Sequence, residues 1–199
     1  MADGVGPEIT VRPLTAELWD DAVTVFGTRG DPASCWCQFF TLSSQDWRSS
    51  TRERNREHLR AQCDQAVPPG LIGYRDGEPA GWIAVAPRVA YPRVLRSRTL
   101  APVLGAESLD DTRIWSVTCF VVRVGFRRQG MAAALLEAAV GFAADHGATT
   151  VEGYPVEVGE RGSVPASELY HGAASTFASC GFEEVGRSSA RRPVMRRLV

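Results

Sequence analysis

The strongest constraint in this chain is a junction between two unlike patterns. Ile114 to Val122 is a nearly continuous run of apolar and β-branched residues, as expected of a strand buried on both faces of a central sheet. It leads directly into Arg127-Arg128-Gln129-Gly130-Met131-Ala132. From Met131 onward Leu135, Leu136, Ala139, Val140 and Ala143 recur at helical spacing, and Gly147 supplies a C-terminal stop. A strand, a glycine-containing turn and a helix N-terminus together make an anion site, because the first helical turn presents unpaired N–H groups and a partial positive charge. A phosphate-bearing ligand is implied. A side chain at position 130 would hold phosphates away from the backbone, and Ala132 is small for a similar reason. Arg127 and Arg128 add charge-assisted donors. Two nucleotide-binding patterns fail on spacing: no lysine followed by serine or threonine closes the loop, and no G-x-G-x-x-G follows a strand.

The pattern on either side predicts an α/β protein with a mixed sheet. Residues 8 to 14 alternate like a strand, and Thr15 stands as an N-cap before a helix reaching about Phe26. Gly27 to Ala33 reads as a turn-rich break, and Ser43 to about Gln65 as one polar helix ended by Pro68-Pro69-Gly70. Leu71–Tyr74 and Ala80–Ala86 read as an antiparallel hairpin, with Asp76-Gly77 as its turn signal. Segment 88–110 has little periodicity and reads as a loop. Thr149 to Val156 is a further strand, made parallel to the central one by the helical crossover. A helix over 166–180 and strands over 181–186 and 194–199 follow. With no repeat and no evident linker, residues 1–199 are expected to form one domain.

Charge and cysteine usage narrow the function. Basic residues number 22 and acidic residues 23, which argues against a nucleic-acid partner, and the arginines at 187, 191, 192, 196 and 197 read as a solvated strand face. No stretch of eighteen apolar residues occurs, and Met1-Ala2-Asp3-Gly4 lacks the features of a signal peptide. A cytoplasmic protein without membrane association is expected. The five cysteines form no paired C-x-x-C units, so neither a disulfide framework nor a metal site is expected, and Cys35-Trp36-Cys37 reads as packing or pocket lining.

The loop resembles the Gln/Arg-x-x-Gly-x-Gly/Ala signature of the GNAT superfamily, matched by Arg127, Gly130 and Ala132. The resemblance extends over most of the chain, through the order of its elements to Ala178-Ser179-Cys180-Gly181-Phe182. It implies a GNAT fold with a mixed central sheet of about six to seven strands flanked by helices. It also implies acetyl-CoA as co-substrate without a metal, and an N-acetyltransferase of the small-molecule branch acting on a primary amine. The alternative is an acyl-CoA-binding sensor or a catalytically inactive relative. By the same resemblance, backbone groups of Phe120, Val121 and Val122 pair with pantetheine, residues 127–132 (Gln129 and Met131 included) hold the pyrophosphate, and Phe177 lies beside the pantetheine arm. Family members often pair into homodimers through sheet edges.

The catalytic groups depart from the family pattern. Phe177 stands where the family commonly has a tyrosine that protonates the departing thiolate, and Tyr170 stands where an asparagine is usual. Tyr170, Ser175 and Thr176 are the substitute donors, although a thiol of pKa about 8.5 leaves tolerably without an acid. Direct attack of a neutral amine, with the oxyanion near the Val122 N–H, is the expected chemistry. Glu157, ahead of Glu152 and His171, is the candidate base. Trp36, Cys37, Phe39, Phe40 and Tyr154 are the candidate acceptor contacts, and their character suits an apolar or aromatic amine.

Overall fold

The computed structural model describes residues 8–105, 108–159 and 164–199. Seven strands form one sheet: β1 (Ile9–Pro13), β2 (Gly70–Arg75), β3 (Glu78–Pro87), β4 (Ile114–Val122), β5 (Thr150–Gly153), β6 (Glu183–Ser189) and β7 (Arg192–Leu198). Their order is β1-β2-β3-β4-β5-β7-β6, and only the central β4–β5 pair is parallel. The β2–β3 turn is at Asp76-Gly77, both with positive φ as a two-residue hairpin of this type requires.

The long helix α7 (Met131–Asp145) makes the crossover between β4 and β5 and buries Met131, Leu135, Leu136, Ala139, Val140 and Ala143. Its close approach depends on glycines in the strands beneath. A Cβ at Gly73 would stand 2.6 Å from the Met131 sulfur, and one at Gly81 would stand 2.9 Å from Leu135. The opposite face of the sheet is covered by α1 (Trp19–Phe26), α2 (Gly30–Cys35) and α4 (Arg52–Gln62). Trp36 is packed there between Trp19 and Phe26, with ring centroids 5.7 and 4.8 Å away.

Pairing between β4 and β5 stops at Val117 and Gly153. On its other side β4 carries a bulge, because Ala84 faces Cys119 while Val85 faces Val117, leaving Thr118 as an extra residue. Beyond this point the two parallel strands part. Pro155 has no N–H to continue a ladder, and Val156 instead makes an isolated bridge to Ala173. Below the parting the pair is held by a buried cluster of charges. Glu152 and Arg88 are both fully buried at 3.2 Å, Arg196 Nε approaches the same carboxylate at 2.9 Å, and the Tyr154 hydroxyl donates to it.

Several elements differ from what the sequence pattern predicts. The stretch 43–65 is two helices, α3 (Ser44–Arg48) and α4, because Ser43 and Thr51 each cap a new start by accepting from the N–H of Asp46 and Arg54. Gly27–Ala33 is not wholly a turn, since α2 begins at Gly30. Thr15 makes no side-chain cap, and the chain enters α1 through a 3-10 turn at Ala16–Leu18. Segment 88–110 contains α5 (Pro92–Leu95) and α6 (Ala101–Leu104), each with proline in its first turn. The expected helix 166–180 is α8 (Ala166–Leu169) and α9 (Ala174–Ser179), interrupted where Gly172 takes φ +82°. β5 ends at Gly153, short of Val156, and β6 and β7 run to Ser189 and from Arg192, further than their patterns indicate.

Candidate active site

A cleft of about 490 Å³ opens where β4 and β5 part. One wall is Phe120 and Val122 of β4, continuing through Phe126, Arg127, Arg128 and Gly130 to Met131, Ala132 and Ala133. The other wall includes Leu169, Tyr170, Gly172, Ala173 and Thr176. Gly130 is the N-cap of α7, with φ +84° and no side-chain cap. The first intrahelical bond runs from the Ala134 N–H to the Gly130 carbonyl, so the N–H groups of residues 131–133 have no partner within the helix. The loop is braced from behind. Arg127 Nε donates to the Val122 carbonyl at 3.0 Å, the Gln129 amide to the Gly125 carbonyl at 2.9 Å, and Arg75 to the Gln129 carbonyl at 3.1 Å. No carboxylate lines this cleft among the described residues, while two guanidinium groups do. Free helix-end N–H groups beside two arginines, at a turn whose φ of +84° suits glycine, fit a pyrophosphate.

The strand edge is less open than the pattern suggests. The Phe120 N–H already donates to the Tyr170 carbonyl at 2.6 Å. The Arg123 N–H is bonded to the Ala80 carbonyl on the β3 side, so alternation turns the backbone of Val121 toward β3 as well. That leaves the Phe120 carbonyl and the Val122 N–H on the edge facing the cleft, since the Val122 carbonyl already accepts from Arg127. Gln129 braces the loop rather than lining the cleft, and Phe177 is fully buried against Phe120 and Phe182.

A second cavity of about 300 Å³ lies on the other face of β4. Cys37, Phe39, Phe40 and Trp47 form its outer wall, Thr118, Cys119 and Val121 its floor, and Tyr170 and His171 its side. Tyr170 lines both cavities and therefore stands at their junction. Burial raises its phenol pKa, which keeps the hydroxyl protonated. Cys37 and Cys119 are both buried, with their sulfurs 2.8 Å apart, and burial and the neighbouring thiols push Cys37 well up, away from thiolate. Sequence reasoning did not reach Thr118, Trp47 or Asp31. Trp47 had a signal, as a lone aromatic in a polar helix, but Thr118 turns inward only because of the bulge.

The remaining candidates lie elsewhere. Glu152 has no exposed surface, and its oxygens are held by Arg88, Arg196, Tyr154 and Ser116. Glu157 lines a shallow groove with Ser175 on the far side of α9 and pairs with Arg187 at 2.8 Å, which lowers its pKa. Neither glutamate lines the cleft or the second cavity. Tyr154 is drawn into the Glu152 cluster, where burial and the carboxylate push its pKa well up. Trp36 is core rather than wall, so of the five acceptor candidates only Cys37, Phe39 and Phe40 line the second cavity. No group of three or more His, Cys, Asp or Glu side chains among the described residues could hold a metal ion.

A mixed sheet whose one parallel pair is wedged apart beside a glycine-started helix is the architecture of the acyl-group transferases that the loop pattern resembles. Comparison with known proteins carries this to the family. The profile of the acetyltransferase (GNAT) family matches residues 36–171, and the chain belongs to that family. Among curated proteins none matches it. Similar solved structures include the PaiA N-acetyltransferase from Thermoplasma acidophilum in complex with coenzyme A, at 12% identity and a TM-score of 0.53, covering 96% of this chain and 99% of that one. The GNAT domain of S. lividans PAT is similar at 14% identity and TM-score 0.55, with full coverage of both chains (100% each). An aminoglycoside acetyltransferase in complex with coenzyme A is similar at 16% identity and TM-score 0.53, over 96% and 95%. At these identities the likeness concerns the fold. No helix among the described residues is long and apolar enough to cross a membrane.

Proposed function

We propose that this protein transfers the acetyl group of acetyl-CoA to a primary amine of a small molecule by direct attack on the thioester. The observation that carries this reading is that Tyr170 lines both cavities: one is suited to a pyrophosphate and an extended arm, the other to a compact acceptor. Acetyl-CoA would lie with its phosphates on the 127–132 loop and its arm along Phe120 and Val122, bringing the thioester toward the parting of β4 and β5. The Val122 N–H faces that edge and is positioned to receive developing negative charge on the carbonyl oxygen. Tyr170, kept protonated by burial, is placed to give its proton to the departing thiolate. Most of the acceleration comes from holding the two reactants together at this junction.

Isothermal titration with acetyl-CoA tests the first half of the reading. Arg127→Gln/Arg128→Gln is expected to weaken binding by roughly 2–3 kcal/mol at low salt, the worth of two charge-assisted contacts, with a shallower salt dependence than the parent. Undiminished affinity would place the pyrophosphate elsewhere. Release of free thiol on adding amines tests the second half.

A further inference from the structure

The second cavity says more about the acceptor, resting on the transferase reading above. Its lining is largely apolar and includes Phe39, Phe40, Trp47, Pro32, Val121 and the thiols of Cys37 and Cys119. Asp31, at the exposed rim, is the one carboxylate among the described lining residues. The Arg93 guanidinium stacks over Phe39, 4.2 Å from its ring centroid, and so already occupies an outer aromatic face with positive charge. A polyamine or aminosugar needs several acceptors for its charges, and this lining does not provide them. At about 300 Å³ the space suits a compact ring system.

Besides Asp31, the lining includes the polar residues Ser167, Tyr170, Thr118 and His171, and the last two meet where β4 bulges. Thr118 is buried, and its hydroxyl makes no hydrogen bond of normal geometry, although it lies near enough to Tyr91 to temper that phenol's raised pKa. His171 Nδ1 is 3.2 Å from the Thr118 carbonyl oxygen. A carbonyl only accepts, so Nδ1 carries the hydrogen and Nε2 presents a lone pair. Among the described residues Nε2 has no hydrogen-bond partner. The ring is set edge-on to Phe40, with centroids 5.5 Å apart. The preceding residue, Tyr170, is the one bonded to the Phe120 N–H, which fixes His171 beside the segment of β4 that faces the thioester.

We propose that this pocket seats a primary amine carried on an aromatic or compact apolar group, and that His171 Nε2 takes the amine proton during transfer. The amine lone pair attacks the thioester carbonyl carbon and the C–N bond forms. The C–S bond then breaks, the amine proton passes to Nε2, and the thiolate is protonated from Tyr170. Solvent then takes the proton from His171 and restores that of Tyr170, leaving an N-acetyl amide and free coenzyme A. The ring is neutral at neutral pH, since burial lowers its pKa to about 4, with the nearby Arg192 adding to the shift and the Thr118 carbonyl and Glu168 opposing it. Neutrality is what a proton acceptor in an apolar pocket requires.

The test uses the full chain with acetyl-CoA and four amines: tryptamine, phenethylamine, spermidine and kanamycin. The aromatic amines are expected to exceed the other two by at least about 100-fold in kcat/KM, in line with an apolar site that cannot satisfy extra charges. His171→Asn keeps a donor for the Thr118 carbonyl and removes the base, so kcat with tryptamine should fall by about 100-fold or more while acetyl-CoA affinity stays within roughly threefold. Phe40→Ala reports separately on the seat and should raise KM for tryptamine by about tenfold or more. Turnover confined to spermidine or kanamycin, or a folded His171→Asn variant retaining kcat within roughly threefold, overturns this proposal and leaves the transferase reading intact. Acetyl-CoA binding without acetylation of any of the four amines overturns both.

Discussion

Replacing Glu152 with glutamine separates two roles that a buried carboxylate near an active site can have. Glu152 and Arg88 have no exposed side-chain surface, while Arg196 is 26% exposed. In Glu152→Gln the Arg196 guanidinium can turn toward solvent, but Arg88 cannot. It retains Ser108 as a partner, and its Nε already lacks one. Breaking a fully buried pair from one side costs about 3–5 kcal/mol, because an uncompensated charge stays behind. The glutamine amide also faces Arg88 with a donor instead of an acceptor, and the Tyr154 hydroxyl loses its charged partner. For a chain of this length that corresponds to a fall in Tm of roughly 6–20 °C. Urea unfolding followed by circular dichroism, with a thermal scan alongside, measures it. Arg88→Met/Glu152→Leu removes both buried charges together and should lie within about 2 kcal/mol of the parent, since the desolvation penalty disappears with the pair. The reasoning is refuted if Glu152→Gln loses less than about 1 kcal/mol while kcat collapses, which would make the carboxylate a participant in chemistry rather than a strut between β4 and β5.

Two further outcomes follow from packing and titration. A Cβ added at Gly153 would stand 2.2 Å from the fully buried Phe177 ring, so Gly153→Ala should cost about 1–3 kcal/mol in urea unfolding, and Gly153→Ala/Phe177→Leu should recover most of it. Between pH 6.5 and about 4 the unfolded chain protonates His171 while the folded chain does not, so this group's stabilisation is present above that window and lost as pH falls through it. The parent should lose on the order of 2–3 kcal/mol more than His171→Asn across that interval, and parallel stability–pH curves would refute a buried neutral imidazole.

The parts of this protein that could be read in the sequence are those built from contiguous residues. The run at 114–122, the loop at 127–132 and the apolar stripe of the following helix each carry their signal within a few turns or one strand, and all three lie where expected. Helices were harder where the stop was a cap rather than a proline: Thr51 restarts a helix in the middle of a polar stretch that is uniformly helix-favouring. The glycine-started N-terminus of α7 was visible because helix ends and glycines act locally. The second cavity was only half visible, since it joins 31–47, 118–121 and 167–171, and nothing in the spacing tells Cys37 from Trp36. Trp36 takes φ +46° and Cys37 φ +53°, and it is this turn of the backbone that sends the first into the core and the second to the cavity wall. Glu152 could not be judged without Arg88, which lies in a segment with no periodicity.

The extra residue in β4 makes that strand a two-sided instrument. Thr118 and Cys119 both turn toward the aromatic cavity, and above them Val121 follows, while Phe120 and Val122 turn toward the cleft. Substitutions at 119 and 121 can therefore reshape what the acceptor side admits without touching the wall along which the arm of acetyl-CoA would lie. For a lineage exploring new amines, or an engineer doing the same, those two positions offer a way to change the customer while keeping the supplier.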